Sequence, residues 1–221
     1  EYPYTKPVSF KSYLDSLLSE VGSAQVKIAL VGKASFPHWL VELINTFKFQ
    51  IVDSDNFELD YRLLRASKTD AEIAVLKYGM EIAEAGLEAG IKALEIGVTE
   101  REVAAEIEYV MRKMGSEGSG IDTIVGFGKA NTYPILTRTT FNKLSPGDLA
   151  LLTIAPRYEG YHGVIGRPIA MGDQPKEIKH AIESAIKASE ASEKMLKVGA
   201  VGADISNAGL DVLRDAGLIE I

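Results

Sequence analysis

The chain contains no cysteine. That excludes disulfides, thiolate metal sites and a cysteine nucleophile, and it fits a reducing, cytoplasmic setting. No run of Lys and Arg exceeds two residues, and acidic residues outnumber basic ones 31 to 24, for a net charge of −7. Such a surface is not expected to bind nucleic acid or an anionic membrane. No apolar run approaches the roughly 20 residues needed to cross a bilayer. The opening "EYPYTKPVSF" has neither the basic start nor the apolar centre of a signal peptide. Histidine is scarce, with only His38, His162 and His180. What remains is ordinary for a globular chain: 221 residues, 46% hydrophobic and 25% charged. The length suits one large domain or a small one joined to a larger one. A first residue that is Glu rather than Met, and an end at "DAGLIEI" with no polar tail, lead to the expectation of a longer reading frame cut at both ends.

Periodicity divides the chain. "SFKSYLDSLLS" (9–19) has apolar residues at helical spacing, "VKIALVG" (26–32) reads as a buried strand, and "SFPHWLVELINTF" (35–47) as a helix with Pro37 near its first turn. "QIVDSD" (50–55) is a second strand and "NFELDYRLLR" (56–65) a further helix. These make residues 1–64 the latter part of a small α/β domain. A capping box at Thr69 and Glu72 opens a helix running to Ile96, which Gly79, Gly86 and Gly90 are expected to weaken. Gly97 closes it, and a second capping box, Thr99 and Glu102, opens another to about Met114. Four β segments follow: "IDTIVGFG", "YPILTRTT", "DLALLTIAP" and "GYHGVIGRPIAMG". Helices over roughly 175–196 and 203–216 close the chain. Helices, an antiparallel strand group and helices again define an α+β domain, residues 65–221.

"RASKTDAEI", "GVTEREVAAEI", "LSPGDLALL", "YEGY" and Arg167, in that order and spacing, resemble the creatinase, aminopeptidase P (prolidase) and methionine aminopeptidase superfamily. The resemblance implies a pita-bread fold, of which residues 65–221 are the first half. The preceding segment is similar to the end of the small N-terminal domain of prolidase, aminopeptidase P and creatinase. It also implies a dinuclear Mn, Co or Zn site, two of whose ligands are Asp residues. Those positions fall at Thr153, six residues after Gly147, and at Val164, eleven further on. The family's substrate-contacting His falls at Leu136, whereas Arg167 matches the Arg that follows the second Asp by three. Thr offers a neutral hydroxyl and Val offers nothing, so hard divalent ions lose two anionic ligands. No metal cofactor is expected. Creatinase, which cleaves a C–N bond of creatine without metal and similarly replaces both Asp positions, is the family precedent, although it keeps the His that Leu136 replaces here.

Strand alternation then nominates what faces the cleft. If Val164 faces it, so does His162; if Thr153 does, so do Leu151 and Ala155; Leu136 and Arg138 share a face, with Pro134 beside them. His162 is the candidate general base and Arg138 the candidate carboxylate contact, with Thr153 and Arg167 as further substrate-binding candidates. Arg167 has the opposite parity to Val164 and needs a bulge or strand end to reach the same pocket. Each also has a plainer reading: a structural His, a surface ion pair, an ordinary strand Thr. Glu159-Gly160 reads as a turn, Asp148 as a turn residue, and His38 and His180 as solvated. The expected protein is a creatinase/Xaa-Pro peptidase-like hydrolase of C–N bonds, or a binder of an amidine, amide or dipeptide-like small molecule. The alternatives are a non-catalytic pseudo-peptidase and a conventional metal-dependent Xaa-Pro peptidase. A homodimer is expected by analogy, and half of such a fold would leave apolar faces for further chain or another chain to cover.

Overall fold

The computed structural model describes residues 9–21, 26–47, 49–52, 55–132 and 138–219. They belong to two compact units, Glu1–Asp70 and Ala71–Ile221. No helix among the described residues is long and apolar enough to cross a membrane.

In the first unit α1 (Phe10–Val21) is followed by β1 (Lys27–Ala29), α2 (His38–Thr46), β2 (Gln50–Val52) and α3 (Asp55–Ala66). β1 and β2 pair in parallel, Ile28 opposite Ile51, with α2 in the connection. Pro37 stands just before α2, where no helical N–H is needed, and its carbonyl accepts from the Leu40 N–H at 2.9 Å. The core is small: Leu14, Leu30 and Ile44, with Ile28, Phe36 and Leu40 packed against them.

The second unit begins with two helices, α4 (Asp70–Lys92) and α5 (Glu100–Lys113). The three α4 glycines are not weak points. A Cβ at Gly90 would come within 2.8 Å of the Ile107 side chain, and one at Gly86 within 2.9 Å of Met111, so their absence lets α5 approach closely. Between the helices the chain turns at Gly97, whose φ is 95°. Thr99 then caps α5: its hydroxyl accepts from the Glu102 N–H while the Glu102 carboxylate accepts from the Thr99 N–H.

β3 (Gly118–Ser119), β4 (Ile124–Phe127), α6 (Gly128–Thr132), β5 (Leu149–Ile154), β6 (Pro156–Tyr158), β7 (Tyr161–His162) and β8 (Ile165–Ala170) follow. They form two antiparallel sheets, ordered β3-β6-β7 and β4-β5-β8. On β5 alternation is clean. Ala150, Leu152 and Ile154 are buried with Ile82, Val103, Ile107 and Phe127 of the main core, whereas Leu149, Leu151 and Thr153 are half-buried on the opposite face. α7 (Lys176–Lys194) and α8 (Gly202–Asp215) close the chain and pack on each other, with Gly209 against Ser192 and Ala188.

Two expectations need correction. "GYHGVIGRPIAMG" is not one strand: it breaks after His162, and β7 and β8 lie in different sheets. At the break stands Gly163, buried so tightly against the backbone of Gly79 on α4 that no side chain fits there. "YPILTRTT" is not a strand where it is described: residues 133–137, including Pro134 and Leu136, lie outside the described residues, and 138–140 run without ladder partners. That segment is held by side chains instead. Thr139 Oγ1 donates to the Thr123 carbonyl (2.7 Å) and accepts from the Val125 N–H (2.9 Å), at the edge of β4 that β5 leaves open.

Candidate functional site

Thr153 lies on the face of β5 that the main core does not use, directly opposite Gly166 of β8 and Ile124 of β4. A Cβ at Gly166 would meet Thr153 Oγ1 at 3.4 Å, so the hydroxyl stands beside a strand position with no side chain. Val164 comes just before β8 and is 56% exposed. Ala155, expected beside Thr153, is buried beyond the end of β5. Arg167 pairs with Leu152, the opposite parity to Thr153; it is exposed, and its Nη1 donates to the neighbouring Gly166 carbonyl at 2.6 Å. It does not join Thr153 on one face.

His162 is placed by the other sheet. It pairs with Arg157 across a two-residue hairpin whose turn residues, Glu159 (φ 48°) and Gly160 (φ 75°), have the left-handed geometry that such tight turns require. Its ring lies against Gly120, so closely that any Cβ there would overlap it. Because the strand breaks at Gly163, alternation from Val164 does not carry over to His162. Of the other histidines, exposed His38 pairs with Glu42 on α2 (3.3 Å), and His180 Nε2 reaches the Ala216 carbonyl at the end of α8 (3.0 Å). Asp148 acts as a turn residue, accepting from the Ser145 N–H at 2.8 Å.

Arg138 leaves the chain on the segment that Thr139 and Thr140 anchor. Its carbonyl accepts from Asn131 Nδ2 (3.3 Å), and its guanidinium is exposed. It lines a depression of about 360 Å³ with Arg101, Asp122, Thr123, Ile124 and Thr139. Ile124 connects this depression to the Thr153 register.

The residue that organises this region is Glu100, which the sequence reading passed over. It is the first residue of α5 and is fully buried. Oε1 accepts from the Phe127 N–H (2.8 Å) and from the side-chain amides of Asn131 (2.7 Å) and Asn142 (3.3 Å). Oε2 accepts from both the N–H (2.7 Å) and the hydroxyl (2.6 Å) of Thr140. Burial pushes the Glu100 carboxyl up, but hydrogen bonds from Thr140, Asn131 and Phe127 outweigh it and hold the group below its ordinary value. The available signal was its place immediately after the capping Thr99, where a carboxylate favours the helix dipole.

As a cation site this half of the cleft is poorly furnished. Positions 153 and 164 supply one hydroxyl and no other donor, and among the described residues no three His, Cys, Asp or Glu side chains converge to hold a metal ion. From these two positions a pair of hard divalent ions would receive no carboxylate.

Residues 74–220 match the metallopeptidase family M24, and the chain belongs to that family. It is 25% identical over 185 residues to a Xaa-Pro dipeptidase of Pyrococcus horikoshii, an alignment covering 84% of this chain and 52% of that protein. Among solved structures, the X-Pro aminopeptidase of Thermotoga maritima superimposes with a TM-score of 0.83 at 24% identity, over 96% of this chain and 58% of that one. A Xaa-Pro dipeptidase from Bacillus anthracis gives 0.85 at 23%, with the same coverages. These likenesses show the pita-bread fold. The chain spans about half the length of the curated relatives it matches.

Proposed function

We propose that this chain is a Xaa-Pro-peptidase-like protein with a rebuilt cleft, which takes a small amidine, amide or dipeptide-like ligand through side chains rather than through a metal pair. Catalysis in it is metal-independent hydrolysis of a C–N bond: water adds at the carbon, and the nitrogen leaves as a protonated amine. One observation carries the reading. The two positions where the family resemblance places bridging carboxylates hold Thr153, on the open face of β5, and the exposed Val164. Arg138 and Thr153 are the proposed ligand contacts and His162 the proposed base; Arg167, whose parity is opposite to that of Thr153, is proposed to reach the same ligand by way of the strand end. A cytoplasmic homodimer belongs to the same reading, and light scattering on the purified protein tests the dimer.

A second reading, a metal-dependent Xaa-Pro dipeptidase, draws equal support from the family match and from the named activities of the relatives. The two separate on one preparation of the intact protein, assayed for bound Mn, Co and Zn and for hydrolysis of Xaa-Pro dipeptides and creatine-like amidines. The first reading expects no stoichiometric metal and no effect of chelator. Two equivalents of metal, with dipeptide cleavage abolished by chelation, would establish the second. Saturable binding with no turnover of any compound would leave a non-catalytic member of the family.

A further inference from the structure

The depression around Arg138 holds opposite charges that do not meet. Arg101 and Arg138 line it together with Asp122, and no ion pair joins either guanidinium to Asp122 among the described residues. The backbone that carries them is held by hydrogen bonds. Arg101 lies in the first turn of α5, its N–H bonded to the Thr140 carbonyl (3.2 Å), and residues 138–140 are tied to Asn131, Thr123 and Glu100.

The arginines are also unequal to the other six. Arg62, Arg157 and Arg214 have carboxylate partners, Arg112 and Arg167 donate to carbonyls, and Arg65 stacks on Tyr61. Arg101 stacks on Phe141 at 4.5 Å, which occupies the face of its guanidinium and leaves the donor edge free. Arg138 has no side-chain partner among the described residues. A third group shares the wall: Thr123, 4% exposed, whose hydroxyl has no hydrogen-bond partner among the described residues.

We propose that this depression is a binding site for the zwitterion of a free α-amino acid. Arg138, assisted by the free edge of Arg101, grips the carboxylate by a forked contact, and Asp122 receives the ammonium group. The volume of about 360 Å³ admits a molecule of that size, and the lining carries both signs of charge that a zwitterion needs. A simple anion is a poorer ligand because it leaves Asp122 facing like charge. A simple amine is poorer because it faces two guanidinium groups. This inference rests on the reading of Arg138 as a ligand contact and needs no turnover.

The test follows the arginine Nε–H resonances of the intact ¹⁵N-labelled protein during titration with L-alanine, acetate or ethylammonium, with chloride as the ionic-strength control. Alanine is expected to shift the Arg138 and Arg101 signals saturably, and to bind more tightly than acetate or ethylammonium. Arg138→Gln should weaken alanine binding about tenfold or more, the worth of one charge-assisted contact. Asp122→Asn should erase the advantage of alanine over acetate. Both changes are on the surface, and unchanged circular dichroism and melting verify the fold. Equal affinities for alanine and acetate in the unsubstituted protein, shifts no larger than those from chloride, or alanine binding untouched by Arg138→Gln would each overturn the proposal. Alanine binding without hydrolysis of any substrate leaves this site standing while the hydrolase reading fails. Hydrolysis without alanine binding does the reverse.

Discussion

Glu100 joins α5, the end of β4, α6 and the 138–142 segment through one side chain. Replacing it by Gln keeps the size but sets an amide N–H₂ against several donors. Glu100→Gln is expected to destabilise the protein by about 2–3 kcal/mol, the scale for breaking hydrogen bonds to a buried charged group, as read by denaturant unfolding. The pH dependence has a definite sign. With its folded pKa held below the ordinary 4.5, Glu100 contributes its full stability above that value and loses it as the pH falls through the folded pKa. The gap between the unsubstituted protein and Glu100→Gln should therefore be flat from pH 7 to about pH 5 and shrink in more acid solution. A constant gap down to pH 2 would show that the carboxylate is not the titrating group. His162 is a second test at this scale: because its ring lies over Gly120 in the β3-β6-β7 sheet, turnover unchanged in His162→Ala would remove it as a base while leaving the hairpin intact. Thr153, Val164 and Arg167 could be found in the sequence because motif spacing fixes them. Glu100 could not, because a carboxylate near a helix start looks alike whether water or five protein donors surround it.

Elements were legible where one periodicity ran uninterrupted. The capping box at Thr99 and Glu102, the 2-residue alternation of β5 and the turn at Glu159-Gly160 all formed as their local chemistry dictated. Reading failed where tertiary contacts override the local pattern. Gly163 has no local reason to end a strand, yet it sits against Gly79 where the chain passes from β7 to β8, which lie in separate sheets. Gly163→Ala should therefore cost about 1–3 kcal/mol, as overpacking does, and lower the melting temperature. Gly172→Ala, where the glycine meets nothing within 4 Å but has a φ of 100°, tests backbone strain without a clash. The α4 glycines teach the same lesson in reverse. Propensity marks them as defects, while packing against Ile107 and Met111 makes them the means by which two helices come close.

At the scale of the whole molecule the two units differ in what they bury. Among the described residues the first has three buried core residues, whereas the second has thirteen in one cluster spanning α4, α5, β4, β5 and β8. Amide hydrogen exchange in β1 and β2 should therefore run ahead of that in β4 and β5 under native conditions, since local opening is easiest where little apolar area is buried. Equal protection would mean that the units unfold as one. A last consequence concerns where the β4-β5-β8 sheet can grow. The Val125 and Phe127 N–H groups on the outer side of β4 are already taken by Thr139 Oγ1 and Glu100 Oε1, so that margin is sealed by side chains. Any further strand must join along β8, next to Pro168, which has no amide hydrogen to give. The sheet thus has a single growing edge with one donor missing from its middle, and a strand that completes it must leave one acceptor there for a different partner.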